Sequence, residues 1–194
     1  MLSPATALNS LLNTHHMFEG LLKNTIYIKI KQDWLIVRLI ETKKEYQGRP
    51  TVVLDSKPSF IDGNFKVLAV VDDALRYNDS TDPQIKVANG FSHSRAVISD
   101  FAIAQATLRY FITKLVNRSA IFRPEIILHP LEKPSGGVSQ DEVRMLLDLG
   151  IAAGGRRVMV WTGRELSDHQ IENRLFPKGD GILFEDDQAK RSQG

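Results

Sequence analysis

The sequence predicts a mixed α/β fold: a sheet begun by a three-strand antiparallel hairpin unit, with helices on both faces. Three observations carry this. First, Ile26, Ile28 and Ile30 alternate with Tyr27 and Lys29, and after Lys31-Gln32-Asp33 a second apolar run extends from Trp34 to Ile40. That is a β-hairpin pattern. Second, Ala104, Leu108, Phe111, Ile112 and Leu115 recur at spacings of three and four, which places them on one helical face with Arg109, Thr113 and Lys114 turned outward. Third, this helix lies between two apolar runs of strand length, Ala96-Val97-Ile98 and Ile126-Ile127-Leu128. A buried helix between strands is the seed of an α/β layer.

Taken in order, the chain begins with a separate piece. Ser3-Pro4 is a helix-start signal, and Leu8, Leu11, Leu12, Phe18 and Leu22 follow a helical stripe. Three readings compete for it: packing against the body or a partner, an in-plane membrane helix, and a frayed terminus or cloning remnant. Its polar face offers Asn9, Asn13, Thr14 and Glu19 rather than lysines, which favours packing. His15 and His16 point to different helix faces and are a poor metal pair.

The third strand of the hairpin unit is expected at Thr51–Leu54, after Gly48-Arg49-Pro50. Val67 to Val71 reads as a buried strand, Asp72 to Arg76 as the start of a short helix, and Asp79 to Pro83 as a turn. Ser99 or Asp100 caps the central helix, and Asn117-Arg118-Ser119 breaks it. A strand follows at Glu125–His129. Ser139-Gln140-Asp141-Glu142 is a capping-box sequence opening a helix that carries Val143, Leu146, Leu147 and Ile151 and ends at Gly154-Gly155. Val158 to Trp161 is another strand, Glu165 to Leu175 is weakly helical, and Gly181 to Phe184 is a last short strand.

Composition narrows the function. With 194 residues and 42% hydrophobic content, the chain can bury a real core. Twenty-five basic against 23 acidic residues give a net charge of +2, so no strong field recommends nucleic acid. Cysteine is absent, which excludes disulfides, thiolate metal sites and cysteine nucleophiles. No Gly-x-Ser-x-Gly elbow marks a serine hydrolase. His93 and His129 lie near strands and read as polar partners.

The stretches VLAVVDDALR, AVISDFAIAQATLRYFITKL, FRPEIIL and SQDEVRMLLDLGIAAGGRRVMVW resemble, in order and spacing, the first half (domain I) of the bacterial actin MreB family. The resemblance runs from about Ile26 to Phe184. It implies an actin-like, ribonuclease H-like half-domain, and the chain divides accordingly. Residues 1–24 form an N-terminal amphipathic segment, 25–187 a domain-I-like body, and 188–194 a disordered tail. MreB-like proteins are actin-fold ATPases that polymerise beneath the membrane and organise wall synthesis. A ribonuclease-H-like nuclease would need an Asp on the first strand, where Lys29 stands.

The resemblance also implies where nucleotide chemistry would sit, and the residues there are altered. The family's first hairpin turn follows an Asp and carries Gly-Thr, whereas this chain has Lys29 and then Lys31-Gln32-Asp33 without glycine. Bulky side chains keep such a turn from presenting its backbone closely to phosphate. The family's second phosphate strand ends Asp-x-Gly-Gly-Gly-Thr; the matching stretch here is Leu183 to Ala189, with Glu185 for the Asp and further acids in place of glycines. Like charges there repel a triphosphate. Glu142 falls where the family glutamate orients the attacking water, but Ser139 and Glu142 also satisfy a capping box that asks for this residue without catalysis.

The expectation is therefore a degenerate MreB-like protein without ATP hydrolysis, cofactor or metal, cytoplasmic and acting through protein contacts. It would cap or modulate a cell-shape filament or membrane-associated assembly, with homodimerisation and membrane contact through residues 5–22 as further options. The alternative is a residual ATP-binding module completed by a second chain.

Overall fold

The computed structural model describes residues 24–55, 67–70, 85–91, 96–116, 123–132 and 137–186. The elements run β1 (Thr25–Ile30), β2 (Leu35–Leu39), β3 (Lys44–Gly48), β4 (Thr51–Asp55), β5 (Val67–Val70), β6 (Ile85–Asn89), α1 (Phe101–Leu115), β7 (Glu125–Pro130), α2 (Gln140–Ala152), β8 (Arg157–Trp161), α3 (Asp168–Glu172) and β9 (Leu183–Glu185). They build a six-stranded sheet in the order β3-β2-β1-β7-β8-β9 and a three-stranded sheet in the order β5-β4-β6. β1 to β3 form the antiparallel unit, while β7 and β8 run parallel to β1. The parallel register, Ile26 beside Ile126 and Ile28 beside Leu128, follows from burying both apolar sets on one face.

That first face is the main core. Ile26, Ile28 and Ile30, with Leu35, Val37, Ile126, Leu128, Val158 and Val160, pack under α1 and α2. Each such side chain contributes about 1.5–3 kcal/mol by leaving water. Asp100 caps α1 by accepting from Ile103 N–H at 3.1 Å. The expected inward residues Ala104, Leu108, Phe111 and Ile112 are buried, Leu115 is half-buried, and Arg109, Thr113 and Lys114 are exposed. Phe111 meets Tyr46 of β3 edge-on. Gly90, at the end of β6, touches the first turn of α1: a Cβ there would lie 2.4 Å from Ala104 N. Ser99 N–H donates to the Gly90 carbonyl at 2.7 Å. Only glycine permits that approach.

The second face carries Tyr27, Ile127, Met159 and Trp161, covered by residues 162–182 through Leu166, Ile171 and Phe176. We call this segment the strap. Inside it, Gly163 and Gly181 meet beneath Trp161, where an added Cβ on Gly181 would come within 2.2 Å of Gly163 Cα. A second capping box, Ser167 with Gln170, starts α3.

Several sequence expectations need correction. The third strand of the hairpin unit is β3, not Thr51–Leu54, which is β4 at the centre of the small sheet. β3 is an edge strand whose Lys44, Glu45 and Gln47 face solvent, so it shows no apolar alternation. Ala96–Ile98 is not a strand. Val97 and Ile98 are buried, but their backbone enters no ladder. β6 was not anticipated. In α2 the inward residues are Val143, Leu146, Leu149 and Gly150, with Leu147 and Ile151 half-buried. Expectations for residues 1–23, the 72–76 helix, the 79–83 turn, His93, the 117–119 helix break and the 188–194 tail lie outside the described residues. Among the described residues, no helix is long and apolar enough to cross a membrane.

Candidate functional site

The parallel register of β1 and β7 brings their carboxyl ends out together, and Leu131 N–H extends the ladder to the Ile30 carbonyl at 2.9 Å. The carboxyl ends of parallel strands are where open α/β sheets hold ligands. Here the Lys31–Trp34 turn of β1 meets the residues following β7. The turn is closed by Lys31 N–H on the Trp34 carbonyl at 2.9 Å. Gln32 N–H points outward and donates to Glu132 Oε2 at 2.9 Å. The glycine-free turn does present a backbone donor, then, but to a carboxylate of the same chain. Asn89 Nδ2 adds a bond to the Gln32 carbonyl at 3.2 Å.

Lys29 lies one step back on the second face. Its ammonium is 2.5 Å from Glu165 Oε1 in the strap. The cross-strand neighbour of Lys29 is His129, which is fully buried. Tyr27 Oη lies 2.5 Å from His129 Nδ1, and His129 Nε2 lies 3.0 Å from the Gly163 carbonyl. Burial pushes the Tyr27 phenol up; its bond from Leu166 N–H opposes the shift and the nearby Glu165 carboxylate adds to it.

Glu142 stands at the start of α2, where the capping box expected from sequence is complete. Its Oε2 accepts from Ser139 N–H at 2.9 Å and Ser139 Oγ at 3.0 Å, while Oε1 accepts from Val97 N–H at 3.3 Å. Both oxygens thus have partners, and the second ties α2 to the segment before α1.

Glu185 is not part of this group. It sits on β9 opposite Met159 and accepts from Arg157 Nη2 at 2.9 Å, toward the amino end of β8. The sheet order sets β9 three strands from β1, about 14 Å at ordinary strand spacing. The two segments aligned with phosphate handling therefore point to different ends of one sheet. Asp33 lies exposed in the turn. Of the five altered or retained positions, Lys29, Gln32 and Asp33 lie on β1 and its turn, Glu142 stands at the start of α2, and Glu185 lies three strands from β1 on β9.

Sequence reasoning missed Glu132, Glu165 and Tyr27. The period-two alternation of β1 was a signal for Tyr27, since Thr25, Tyr27 and Lys29 must share the face opposite the isoleucines. Nothing local marks Glu132 or Glu165, whose partners are 100 and 136 residues away. Among the described residues, no group of three or more His, Asp or Glu side chains is arranged to hold a metal ion.

No family model matches the chain, and no curated protein matches it. Solved structures do. MreB5 of Spiroplasma citri bound to ADP is similar with a TM-score of 0.51 at 15% identity, covering 71% of this chain and 38% of that one. The same protein bound to AMPPNP is similar with a TM-score of 0.51 at 16% identity, covering 70% and 38%. The chain thus spans 38% of the length of the solved proteins it matches. At this identity the likeness establishes the fold, an actin-like half-domain.

Proposed function

We propose that this protein is an actin-like module that acts by contact with other proteins, capping or modulating an MreB-like filament or a membrane-associated assembly without hydrolysing ATP. One observation carries the reading. The outward N–H of the Lys31–Trp34 turn is already held by the Glu132 carboxylate. A phosphate arriving there would have to displace Glu132 and meet its charge at close range. The pairing of Lys29 with Glu165 and the two occupied oxygens of Glu142 support the same reading.

A head-to-tail filament needs two different faces on each subunit. A subunit that offers only one of these faces would join a terminus without being readily extended. Such a cap needs no ATP cycle. It would work in the cytoplasm, with residues 5–22 available to a partner or to the inner face of the membrane. A second reading, a nucleotide-binding module completed by another chain, is favoured by the ADP and AMPPNP bound to the similar structures.

Thermal melting with millimolar ATP and magnesium separates the two. Ligand at a hundredfold over its Kd adds about 2.7 kcal/mol, so a clear rise in Tm would overturn the first reading in favour of the second. No rise is expected. Sedimentation and electron microscopy at tens of micromolar test the cap itself: shortened polymers of a full-length MreB-like partner are expected. Long filaments from this chain alone, or unchanged partner polymers, would refute it.

A further inference from the structure

Two buried side chains join the sheet to the strap through one line of hydrogen bonds. Leu166 N–H donates to Tyr27 Oη at 3.2 Å, Tyr27 Oη donates to His129 Nδ1 at 2.5 Å, and His129 Nε2 donates to the Gly163 carbonyl at 3.0 Å. The two end directions are fixed, because an amide only donates and a carbonyl only accepts. In the neutral form the imidazole carries its proton on Nε2, and the phenol proton points toward Nδ1. His129 has no exposed surface and Tyr27 almost none.

We propose that this relay is a proton-operated latch: neutral His129 holds the Gly163–Leu166 end of the strap on the sheet, and protonation at Nδ1 releases it and opens Trp161 to solvent. A second ring proton would face Tyr27 Oη. The phenol oxygen would then receive both Leu166 N–H and Nδ1–H, and its own proton would lose its acceptor in a closed site. The imidazolium itself would be a cation without exposed surface, a costly arrangement.

Tyr27 bonds the ring, Lys29 is its cross-strand neighbour on β1, and Glu165 from the strap pairs with Lys29. The Lys29 ammonium opposes a second positive charge, and its partner Glu165 offsets that effect. β8 contributes Met159 and Trp161, both uncharged. Trp161 is the natural reporter, since its Nε1 donates to the Arg164 carbonyl at 2.6 Å, inside the released segment. Beyond Leu166 the strap has separate fastenings, Arg38 with Asp168 and then Arg174 with Glu125, so release is local.

An exposed imidazole has a pKa of about 6.5. Each pH unit below that value favours an open form that accepts the proton by up to about tenfold. Between pH 7.5 and 5 the Leu166 amide, corrected for its intrinsic exchange rate, is expected to lose up to about 30-fold of protection. Acrylamide quenching of Trp161 in a Trp34→Phe background is expected to rise in parallel. The amides of Ile126 and Leu128 in β7 keep their protection. His129→Gln removes the dependence. Should that variant not fold, nitrogen chemical shifts of the His129 ring in the unmodified protein serve instead, and their midpoint must coincide with the loss at Leu166. Three results would overturn the latch: Leu166 protected throughout, His129 protonated while Leu166 stays protected, or Leu166 lost together with Ile126 and Leu128, which is plain acid unfolding.

Discussion

Replacing Arg174 tests whether the strap is fastened to the sheet by charge. Glu125 begins β7 with only 5% of its side chain exposed, and Arg174 Nη2 reaches its Oε2 at 2.5 Å. Arg157 Nε stands 3.4 Å from Oε1, but neither atom has a hydrogen bond, so Arg157 is a weak substitute. Removing the partner of a buried charge costs about 3–5 kcal/mol. Arg174 is 39% exposed and Arg157 remains nearby, which reduces the expected loss for Arg174→Ala to about 2 kcal/mol. Backbone strain works against the pair. Arg174 follows α3 with φ of 55°, a left-handed conformation that costs a non-glycine residue about 1 kcal/mol. Alanine keeps that strain and glycine removes it, so Arg174→Gly should lose only about 1 kcal/mol. Equilibrium urea unfolding with matched m-values gives each number. In a double-mutant cycle with Glu125→Gln, the two changes should couple by at least about 1 kcal/mol. Additive losses, or equal losses for alanine and glycine, would refute the account.

The remaining expectations concern pH and packing. The folded state holds the Tyr27 phenol above its ordinary value, so its stabilisation is complete below the unfolded pKa of about 10 and is lost as pH rises beyond that. A tyrosinate absorbance titration should show one of the four tyrosines ionising only as the chain unfolds, and Tyr27→Phe should remove that step; four unhindered titrations would contradict the buried relay. Phe111→Ala should cost about 3–5 kcal/mol, while Arg109→Ala stays within about 0.5 kcal/mol; similar denaturation curves would mean that the inward face of α1 is misassigned.

What was legible in the sequence is what local patterns encode. The apolar stripe of α1, the cap at Asp100 and the Ser139–Glu142 box each need only a few consecutive residues, and each was readable. β3 was not, because an edge strand turning Lys44, Glu45 and Gln47 to water has no period-two apolar signal. Leu147 was preferred to Leu149 because the helical phase was carried forward from Val143 by spacing alone. The candidate site was least legible. Its turn was visible as Lys31–Asp33, but Glu132, Glu165 and Gly163 reach it through register and crossover, which no window of sequence contains.

The two faces of the six-stranded sheet bear on where a partner can bind. The first is sealed by α1 and α2 over aliphatic side chains, and such a surface opens only with the fold itself. The second, over β1, β7 and β8, is covered by the strap, whose own apolar cluster is small and whose fastenings are Lys29–Glu165, Arg38–Asp168, Arg174–Glu125 and the Tyr27–His129 relay. Partly exposed ion pairs hold less firmly than aliphatic packing and weaken with salt. The strap is therefore the less secured layer, and the contacts proposed above would fall either to the edges of the sheet, β3 and β9, or to the surface that an opened strap would uncover. High salt discriminates between them: it should loosen the strap, read as faster amide exchange at Leu166 and Ile171, while exchange under α1 at Ile28 and Leu128 stays unchanged.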